Sequence, residues 1–398
     1  MYTTYEIPDY RPSLSGSDID AILNALSQKF SERRSKHLGY PYNLDFDASS
    51  LSQFSNFLIN NLGDPYAGSH YATEVCSTER EVIDWIMRVW QCNDPSEYWG
   101  SVGTSGTEGN LWALYLAREA LSDPLLIHSA EAHYSLPKAA RILQIDALKC
   151  SVGGSGAICN ESLKTLIHAN RHRSIILALT CGTTMKGAHD DIASCISALD
   201  EVGVEPNRRF IHIDGALNAM VLPFIEDVPF GIRPTFQHRI DSMSTSGHKM
   251  IGTPMPCGVL VARRQHVNKV ASSVSYLRSD DTTLMGSRNG HAVLAIWNRL
   301  MRLDVPGFQA NARNSATRAQ AFADTLRIAA VPVLLNPFSL TVVFPKPSER
   351  LVQEYQLACH DNLAHAIVMP NVDTGLINRF TNAYITEWTS SSPEKAFS

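Results

Sequence analysis

The sequence predicts an α/β protein whose core is an open, mostly parallel sheet covered by helices on both faces. Between Trp99 and about Val261, short apolar runs of strand length alternate with longer amphipathic stretches of helix length. This alternation is typical of parallel sheets, because each parallel pair of strands needs a crossover connection, most often a helix. The predicted strands are "SIILALT" (174–180), "RFIHID" (209–214) and "CGVLVAR" (257–263), and the predicted helices are "NLWALYLAREAL" (110–121) and "DDIASCISALDEVG" (190–203).

The segments on either side of this region predict two further parts. Residues 14–61 are expected to be largely helical, because "SDIDAILNALSQKF" (17–30) has apolar residues at helical spacing behind a Ser/Asp cap. After about Gly290 we expect a long helix, a strand in "SLTVVFPKP" (339–347), and a helix and a strand within "LACHDNLAHAIVMP" (357–370). The predicted division is an N-terminal helical segment (1–60), a large domain (61–290) and a smaller α+β C-terminal domain (291–398).

Composition argues against several classes of function. The chain has 398 residues, a formal net charge of -5 and scattered Lys and Arg side chains, so we expect no nucleic-acid partner. No apolar run approaches the roughly 18 residues that a membrane helix needs, so we expect no membrane partner. The first residues, "MYTTYEIPDYRPS", lack the basic start and apolar core of a signal peptide. The eight cysteines include no CxxC pair and are expected to be reduced thiols of a cytoplasmic protein.

The loop "GTSGTEGN" (103–110) runs directly into a predicted helix. Backbone N–H groups at a helix N-terminus, together with hydroxyl groups, form a site suited to a phosphate. The alternative is an ordinary capped turn, which these residue types also favour. The glycine spacing fits neither GxGxxG nor the GxxxxGK[ST] of a P-loop, which disfavours a nucleotide site.

The stretch "HIDGALNAM" (212–220) places Asp214 at the end of a predicted buried strand. A buried carboxylate is costly unless a cation meets it. A helix cap and half of a metal site are the alternatives. "HANRH" (168–172) lacks the Glu of HExxH and the other histidines form no ligand motif, so we predict no metal site.

Two further polar clusters follow predicted strands. In "SAEAHYSLPKAAR" (129–141), His133 could lie flat on a ligand ring, although a lone histidine is more often structural. In "STSGHKMIGTPMPCG" (244–258), Lys249 follows hydroxyls and an imidazole, 35 positions after Asp214. One crossover would place Asp214 and Lys249 at the same sheet edge. A phosphate loop, a buried anion, a ring-stacking group and a lysine are together what pyridoxal 5'-phosphate (PLP) requires.

These motifs resemble the PLP-dependent group II amino-acid decarboxylases, in the branch of the plant serine and bacterial histidine decarboxylases. The resemblance implies a fold-type-I, aspartate-aminotransferase-like protein, a homodimer with active sites at the subunit interface, and α-decarboxylation of an L-amino acid. The stretches that carry it span about residues 38–372 and are "LGYPYNLDFD", "INNLGDP", "EYWG", "GTEGN", "HYSLPKAAR", "GTTMKGAHDD", "HIDGAL", "SGHKMIGTPMPCG", "GSRNGH" and "MPNV".

The resemblance also implies roles for individual residues. Lys249 would be the Schiff-base lysine and Asp214 the partner of the pyridine nitrogen. Ala216 and His133 would lie against opposite faces of the ring, and Thr183 near its ring oxygen. The phosphate contacts would come from Ser105, Gly106, Thr107, Ser246 and His248.

The motifs identify the proton donor and the substrate less closely than they identify the cofactor-binding residues. Tyr276, in the polar segment 264–290 that we predict to be an active-site loop, is the first candidate for protonating the α-carbon, and His133 is its rival. Tyr276 favours simple decarboxylation over the aldehyde-forming or transaminating reactions of related enzymes. A non-catalytic PLP-fold protein is a further alternative, against which Lys249, Asp214 and His133 together argue.

Substrate contacts are expected from Tyr42, Tyr71, Glu74 and Ser287. The segment 282–291, with Ser287 and Arg288, is expected to reach the active site of a partner subunit. Glu74 lies in "HYATE", where the relatives have no carboxylate, and Thr180 replaces an asparagine of the relatives. Glu74 could bind an imidazole, a hydroxyl or a cationic side chain, or face solvent. Histidine is the first substrate hypothesis, and serine or another small or basic amino acid is the alternative.

Overall fold

The computed structural model describes residues 14–277 and 279–390. Residues 1–13, on which the expectation of no signal peptide depends, lie outside the described residues. The helices are α1 (Gly16–Arg34), α2 (Cys76–Val89), α3 (Gly106–Ala120), α4 (Ser135–Leu143), α5 (Asn160–Ala169), α6 (Ile192–Val202), α7 (Arg264–Val267), α8 (Gly290–Ile328), α9 (Glu349–Tyr355) and α10 (Thr374–Ser390). The strands are β1 (Asn60–Leu62), β2 (Tyr98–Gly103), β3 (Pro124–Ser129), β4 (Asp146–Cys150), β5 (Ser174–Thr180), β6 (Arg209–Asp214), β7 (Ser242–Ser246), β8 (Gly258–Arg263), β9 (Ser272–Ser273), β10 (Asp280–Asp281), β11 (Ser287–Asn289), β12 (Leu334–Leu335), β13 (Thr341–Pro345), β14 (Ala358–His360) and β15 (Leu363–Ile367).

A seven-stranded sheet forms the centre of the fold, with the order β2-β8-β7-β6-β5-β3-β4. β8 is antiparallel to both of its neighbours, and the other pairs are parallel. This arrangement confirms the predicted α/β class with a mostly parallel sheet. The predicted strands at 174–180, 209–214 and 257–263 are β5, β6 and β8.

Strand β5 shows why the sheet is covered on both faces. All seven of its residues are buried. Ile175, Leu177 and Leu179 belong to one apolar cluster, which also contains side chains of α2, α5 and α6. Ile176 and Ala178 belong to a second cluster, which contains side chains of α3 and α4. Because successive side chains of a strand point to opposite faces, a continuous apolar run fills both layers.

A second, antiparallel sheet with the order β12-β13-β15-β14 follows the long helix α8. Asp304 has a φ of 47° within α8, two residues before Pro306, so the helix is interrupted there. The division of the chain at residues 60 and 290 stays a prediction. Among the described residues no helix is both long and apolar enough to cross a membrane.

Two local expectations were wrong. Residues 35–48 are not helical, because Leu38 N–H donates to Tyr355 O and Asn43 N–H to His248 O, contacts that hold this segment extended across the rest of the protein. The stretch 357–370 contains no helix: β14 and β15 pair as an antiparallel hairpin around a turn, where Asp361 has a φ of 50°. In both segments, contacts between parts of the chain outweigh local helical periodicity.

Candidate active site

A cavity of about 370 Å³ lies beyond the carboxyl ends of β5, β6 and β7. Ligands bind at this edge in open α/β sheets. All ten residues expected to contact a cofactor line the cavity, and Tyr42 of the expected substrate residues does too. The ten are Ser105, Gly106, Thr107, His133, Thr183, Asp214, Ala216, Ser246, His248 and Lys249.

Lys249 projects from a short π-helical turn, Gly247–Ile251, that directly follows β7. Burial lowers the pKa of its ammonium group, and the Asp214 carboxylate opposes this shift. Within residues 14–277 and 279–390, no side chain or backbone group forms a hydrogen bond or an ion pair with this amine. A partly desolvated lysine with a lowered pKa is a better nucleophile than a surface lysine.

Asp214 ends β6, next to the end of β7, as the sequence predicted from the spacing of the two motifs. Only 4% of its surface is exposed. Its carboxylate accepts a hydrogen bond from Asn110 Nδ2 at 2.8 Å and one from Ala216 N at 3.2 Å. In the described part of the chain it has no ion-pair partner, so a cationic ligand group would compensate its burial.

The first turn of α3 provides the anion-binding wall of the cavity. Ser105 caps the helix, with its hydroxyl accepting from Glu108 N at 3.4 Å. Glu108 turns away from the cavity, because its carboxylate accepts from Thr104 N and Oγ1 at 2.6 and 2.7 Å. A Cβ on Gly106 would lie 2.7 Å from Ser246 Oγ, so a larger residue here would displace the Ser246 hydroxyl from its place in the cavity wall.

Two histidines complete the walls. His133 follows β3, and its Nδ1 lies 2.7 Å from Ser135 Oγ. Burial lowers the pKa of His133, and Asp214 partly offsets the shift. Burial also lowers the pKa of His248 to about 4, so this imidazole is neutral near pH 7. Neutral imidazoles can donate one hydrogen bond without adding charge to the site.

Taken together, these observations fit PLP. Among the residues that the structure describes, the cavity has a buried carboxylate and an amine that make no ion pair with each other or with another side chain, and a helix N-terminus lined by hydroxyls. These three features match the pyridine nitrogen, the aldehyde carbon and the phosphate of the cofactor. Within the described residues, no group of three His, Cys, Asp or Glu side chains could hold a metal ion.

Several cavity residues were not singled out from the sequence. Asn110 lies one turn after Gly106 on the same face of α3, and this helical spacing is the signal that could have identified it. Thr341, His365 and Ile367 come from the second sheet, more than 90 residues after Lys249. No local pattern points to them, because only the packing of the two sheets brings them to the cavity.

Five expected residues lie outside this cavity in the single chain. Tyr276 is 80% exposed. Tyr71 donates its hydroxyl hydrogen to Leu58 O at 2.7 Å, and Glu74 accepts from Cys76 N at the start of α2. Ser287 Oγ lies 3.2 Å from Asn60 Nδ2, and Arg288 forms an ion pair with Glu79. Their assignment to a substrate or partner site stays a prediction.

Comparisons with known proteins agree with this geometry. Residues 75–343 match the profile of the pyridoxal-dependent decarboxylase conserved domain. The chain is 42% identical to serine decarboxylase 1 of Oryza sativa subsp. japonica over 363 residues, which cover 91% of this chain and 74% of that protein. It is 39% identical to histidine decarboxylase of Acinetobacter baumannii (strain AYE) over 331 residues, covering 83% of this chain and 85% of that protein.

Solved structures show the same fold. L-methionine decarboxylase from Streptomyces sp. 590 superposes with a TM-score of 0.87 at 24% identity, covering 97% of this chain and 98% of that one. Glutamate decarboxylase of Lactobacillus brevis superposes with a TM-score of 0.79 at 15% identity, covering 97% and 96% of the two chains. At these identities the similarity concerns the fold alone.

Proposed function

Because the chain belongs to the pyridoxal-dependent decarboxylase family and is a PLP-dependent amino-acid decarboxylase, we propose that Lys249 is its covalent cofactor lysine. One observation carries this proposal: Lys249 and Asp214, an amine and a carboxylate without ion-pair partners in the described residues, lie at the ends of adjacent strands. Two such groups at one sheet edge are costly unless a ligand engages both.

The remaining cavity residues have proposed roles that follow from their positions. Asp214, as an anion, keeps a proton on the pyridine nitrogen, and Ala216 and His133 lie on opposite faces of the ring. Thr183 lies near the ring oxygen. When bound, PLP supplies an electron-poor ring that accepts the electron pair left as CO₂ departs. The proposed phosphate ligands are Ser105, Gly106, Thr107, Ser246 and His248.

Protonation of the α-carbon is assigned to Tyr276. In the single chain this tyrosine is exposed and lies away from the cavity. We propose that it acts in the site of a partner subunit, as the resemblance to the family implies. His133 is the rival, because it lines the cavity of its own chain.

A homodimer is also proposed, and helix α1 supports it. None of the residues of α1 is buried in the single chain. Ile19, Ile22, Leu23, Leu26 and Phe30 are between 39% and 62% exposed, at the helical spacing of one face. An apolar stripe of this size is typical of a surface that a second chain covers.

The substrate proposal is a small amino acid with a polar or imidazole side chain. Apart from Lys249 and Asp214, no Lys, Arg, Asp or Glu is among the described residues that line the cavity. Glu74, the candidate contact for a cationic side chain, instead accepts from the first turn of α2. Histidine, forming histamine, is the first candidate. The chain is similar both to serine decarboxylase 1 and to histidine decarboxylase, so the comparisons do not single histidine out, and serine, forming ethanolamine, is the alternative.

The test uses the purified holoenzyme with each common amino acid, measuring CO₂ and amine. We expect a visible absorbance band from the lysine-bound cofactor and turnover of histidine or serine. Lys249→Ala should abolish both the borohydride-reducible linkage and amine formation, whereas Lys164→Ala, on α5 and outside the cavity, should retain them. A linkage that survives in Lys249→Ala would refute the lysine assignment, and turnover of only lysine or arginine would refute the substrate class.

A further inference from the structure

Asn110 occupies the centre of a buried hydrogen-bond network between the two ring-contacting groups of the site. Only 1% of its surface is exposed. Its Nδ2 lies 2.8 Å from both Asp214 Oδ2 and Ser135 Oγ. Its Oδ1 lies 2.9 Å from His212 Nε2 and 3.3 Å from Ser244 Oγ. These four contacts use both hydrogens and both lone pairs of the amide.

The chemistry of the partners fixes the orientation of this amide. An ionised carboxylate only accepts hydrogen bonds, so Nδ2 must face Asp214. Oδ1 therefore faces His212, whose Nε2 must carry the hydrogen. His212 Nδ1 is then the acceptor for Ser242 Oγ, 2.9 Å away. Burial lowers the pKa of His212 to about 4, in agreement with a neutral ring that has a single proton.

The same reasoning extends to His133. Ser135 Oγ accepts from Asn110, so its own hydrogen is free to point at His133 Nδ1, 2.7 Å away. Ser135 N–H points at the same nitrogen at 3.3 Å. Two donors that converge on Nδ1 require it to be unprotonated, and the ring hydrogen is therefore on Nε2. The charged groups that influence this ring are Asp214, Lys249 and Lys138, and the Tyr134 ring lies 4.2 Å from it.

We propose that Asn110 is a positioning residue that stabilises Asp214 as an anion and, through Ser135, holds His133 as the neutral Nε2–H tautomer. This inference depends on the proposed roles of Asp214 and His133. It also bears on the proton donor, because a neutral imidazole whose Nδ1 is occupied by two donors is a poor acid. Of the two candidates, the network therefore disfavours His133 and favours Tyr276.

Asn110→Leu in the holoenzyme tests the connection to Asp214. Without this donor the Asp214 anion is less stable, so the shared proton shifts from the pyridine nitrogen toward the carboxylate and the ring becomes a weaker electron acceptor. We expect kcat to fall about tenfold to a hundredfold, as for loss of a hydrogen bond to a charged group. The pH at which the visible band of the lysine-bound cofactor changes should differ from that of the wild type. The matched control is Asn298→Leu, a buried asparagine on α8 whose amide oxygen accepts from Arg302, and it should leave kcat and the band unchanged.

Ser135→Ala tests the proposed tautomer of His133, and it remains a test of the proposal if Asn110→Leu does not fold. Without the hydroxyl donor, His133 Nδ1 can take a second proton, so the acid limb of the kcat profile should move to higher pH. Ser135→Thr retains the hydroxyl and should restore the wild-type profile. Wild-type kcat and pH profiles in Ser135→Ala would overturn the proposal. Failure of the proposed function is recognised separately, since Lys249→Ala would then keep its reducible linkage.

Discussion

At the scale of single residues, burial sets the charge of the histidines around the site. His37 is 6% exposed, and neither of its ring nitrogens has a hydrogen-bond partner among the residues that the structure describes. Its ring stacks with Tyr40 and Tyr42, with centroid distances of 6.1 and 5.7 Å. Burial alone lowers the pKa of His37 to about 4. The folded protein therefore keeps this ring neutral at pH values where the unfolded chain protonates it.

This difference predicts a pH dependence of stability. Between about pH 6.5 and pH 4 the unfolded state binds a proton that the folded state does not, so the free energy of unfolding falls as the pH is lowered. One such histidine contributes up to about 1.4 kcal/mol per pH unit in this range. In urea titrations at several pH values, the free energy of unfolding of His37→Phe should fall less steeply with decreasing pH than that of the wild type.

The matched control is His172→Phe, because His172 is exposed and should leave the slope unchanged. Equal slopes for the wild type and His37→Phe would mean that His37 is protonated in the folded protein.

At the scale of elements, a buried ion pair connects β1, α2 and β11. Glu79 and Arg288 have side-chain exposures of 0% and 3%. The Glu79 carboxylate also accepts from Asn61 Nδ2 and Val102 N, both at 2.8 Å, and Arg288 Nη2 donates to Gly63 O at 3.2 Å. The ion pair therefore holds strand β11, which contains Ser287, against α2 and near β2 at the edge of the large sheet.

Arg288→Met is expected to destabilise the protein by about 3–5 kcal/mol, because it leaves a buried carboxylate without its cation. Urea unfolding measures this loss of stability. Adding Glu79→Gln to Arg288→Met should recover part of the loss, because it removes the uncompensated charge of the buried carboxylate. Arg350→Met should cost less than about 1 kcal/mol, because the exposed Arg350 side chain forms solvent-screened pairs with Glu354 and Glu387. Equal losses in the free energy of unfolding for Arg288→Met and Arg350→Met would contradict the inference that burial makes the Glu79–Arg288 pair important for stability.

At the scale of the whole molecule, the single chain leaves a groove of about 520 Å³ beside α1. Leu23, Leu26 and Phe30 form one wall, and His37 and Phe46 belong to the other. The segment that carries His37 continues to Tyr42 in the active-site cavity. A second chain on this groove would therefore lie next to the site.

Leu23→Glu combined with Phe30→Glu should convert the proposed dimer to monomer in analytical ultracentrifugation. Loss of each buried apolar side chain costs about 1.5–3 kcal/mol of association, or roughly tenfold or more in Kd. Activity should fall with the dimer fraction if Tyr276 acts across the interface. Gln28→Glu, also on exposed α1, should leave the dimer intact, and a dimer that persists in the double variant would contradict the role of α1.

Much of the cofactor site could be predicted from the sequence because its residues lie within short motifs at strand ends. Asp214 and Lys249 are local to β6 and β7, and parallel strands bring their carboxyl ends to one edge. The family, the fold class and the cofactor follow from these motifs. The ten residues expected to contact the cofactor all line one cavity.

Only the tertiary structure decided what depends on contacts between distant segments. Residues 35–48 are extended because backbone groups far along the chain bind them, and His365 reaches the cavity from the second sheet. The protonation pattern around Asn110 also requires four partners from three segments, namely α4, β6 and β7. Local periodicity records which face of an element is apolar, whereas hydrogen-bond direction depends on groups that meet only when the chain has folded.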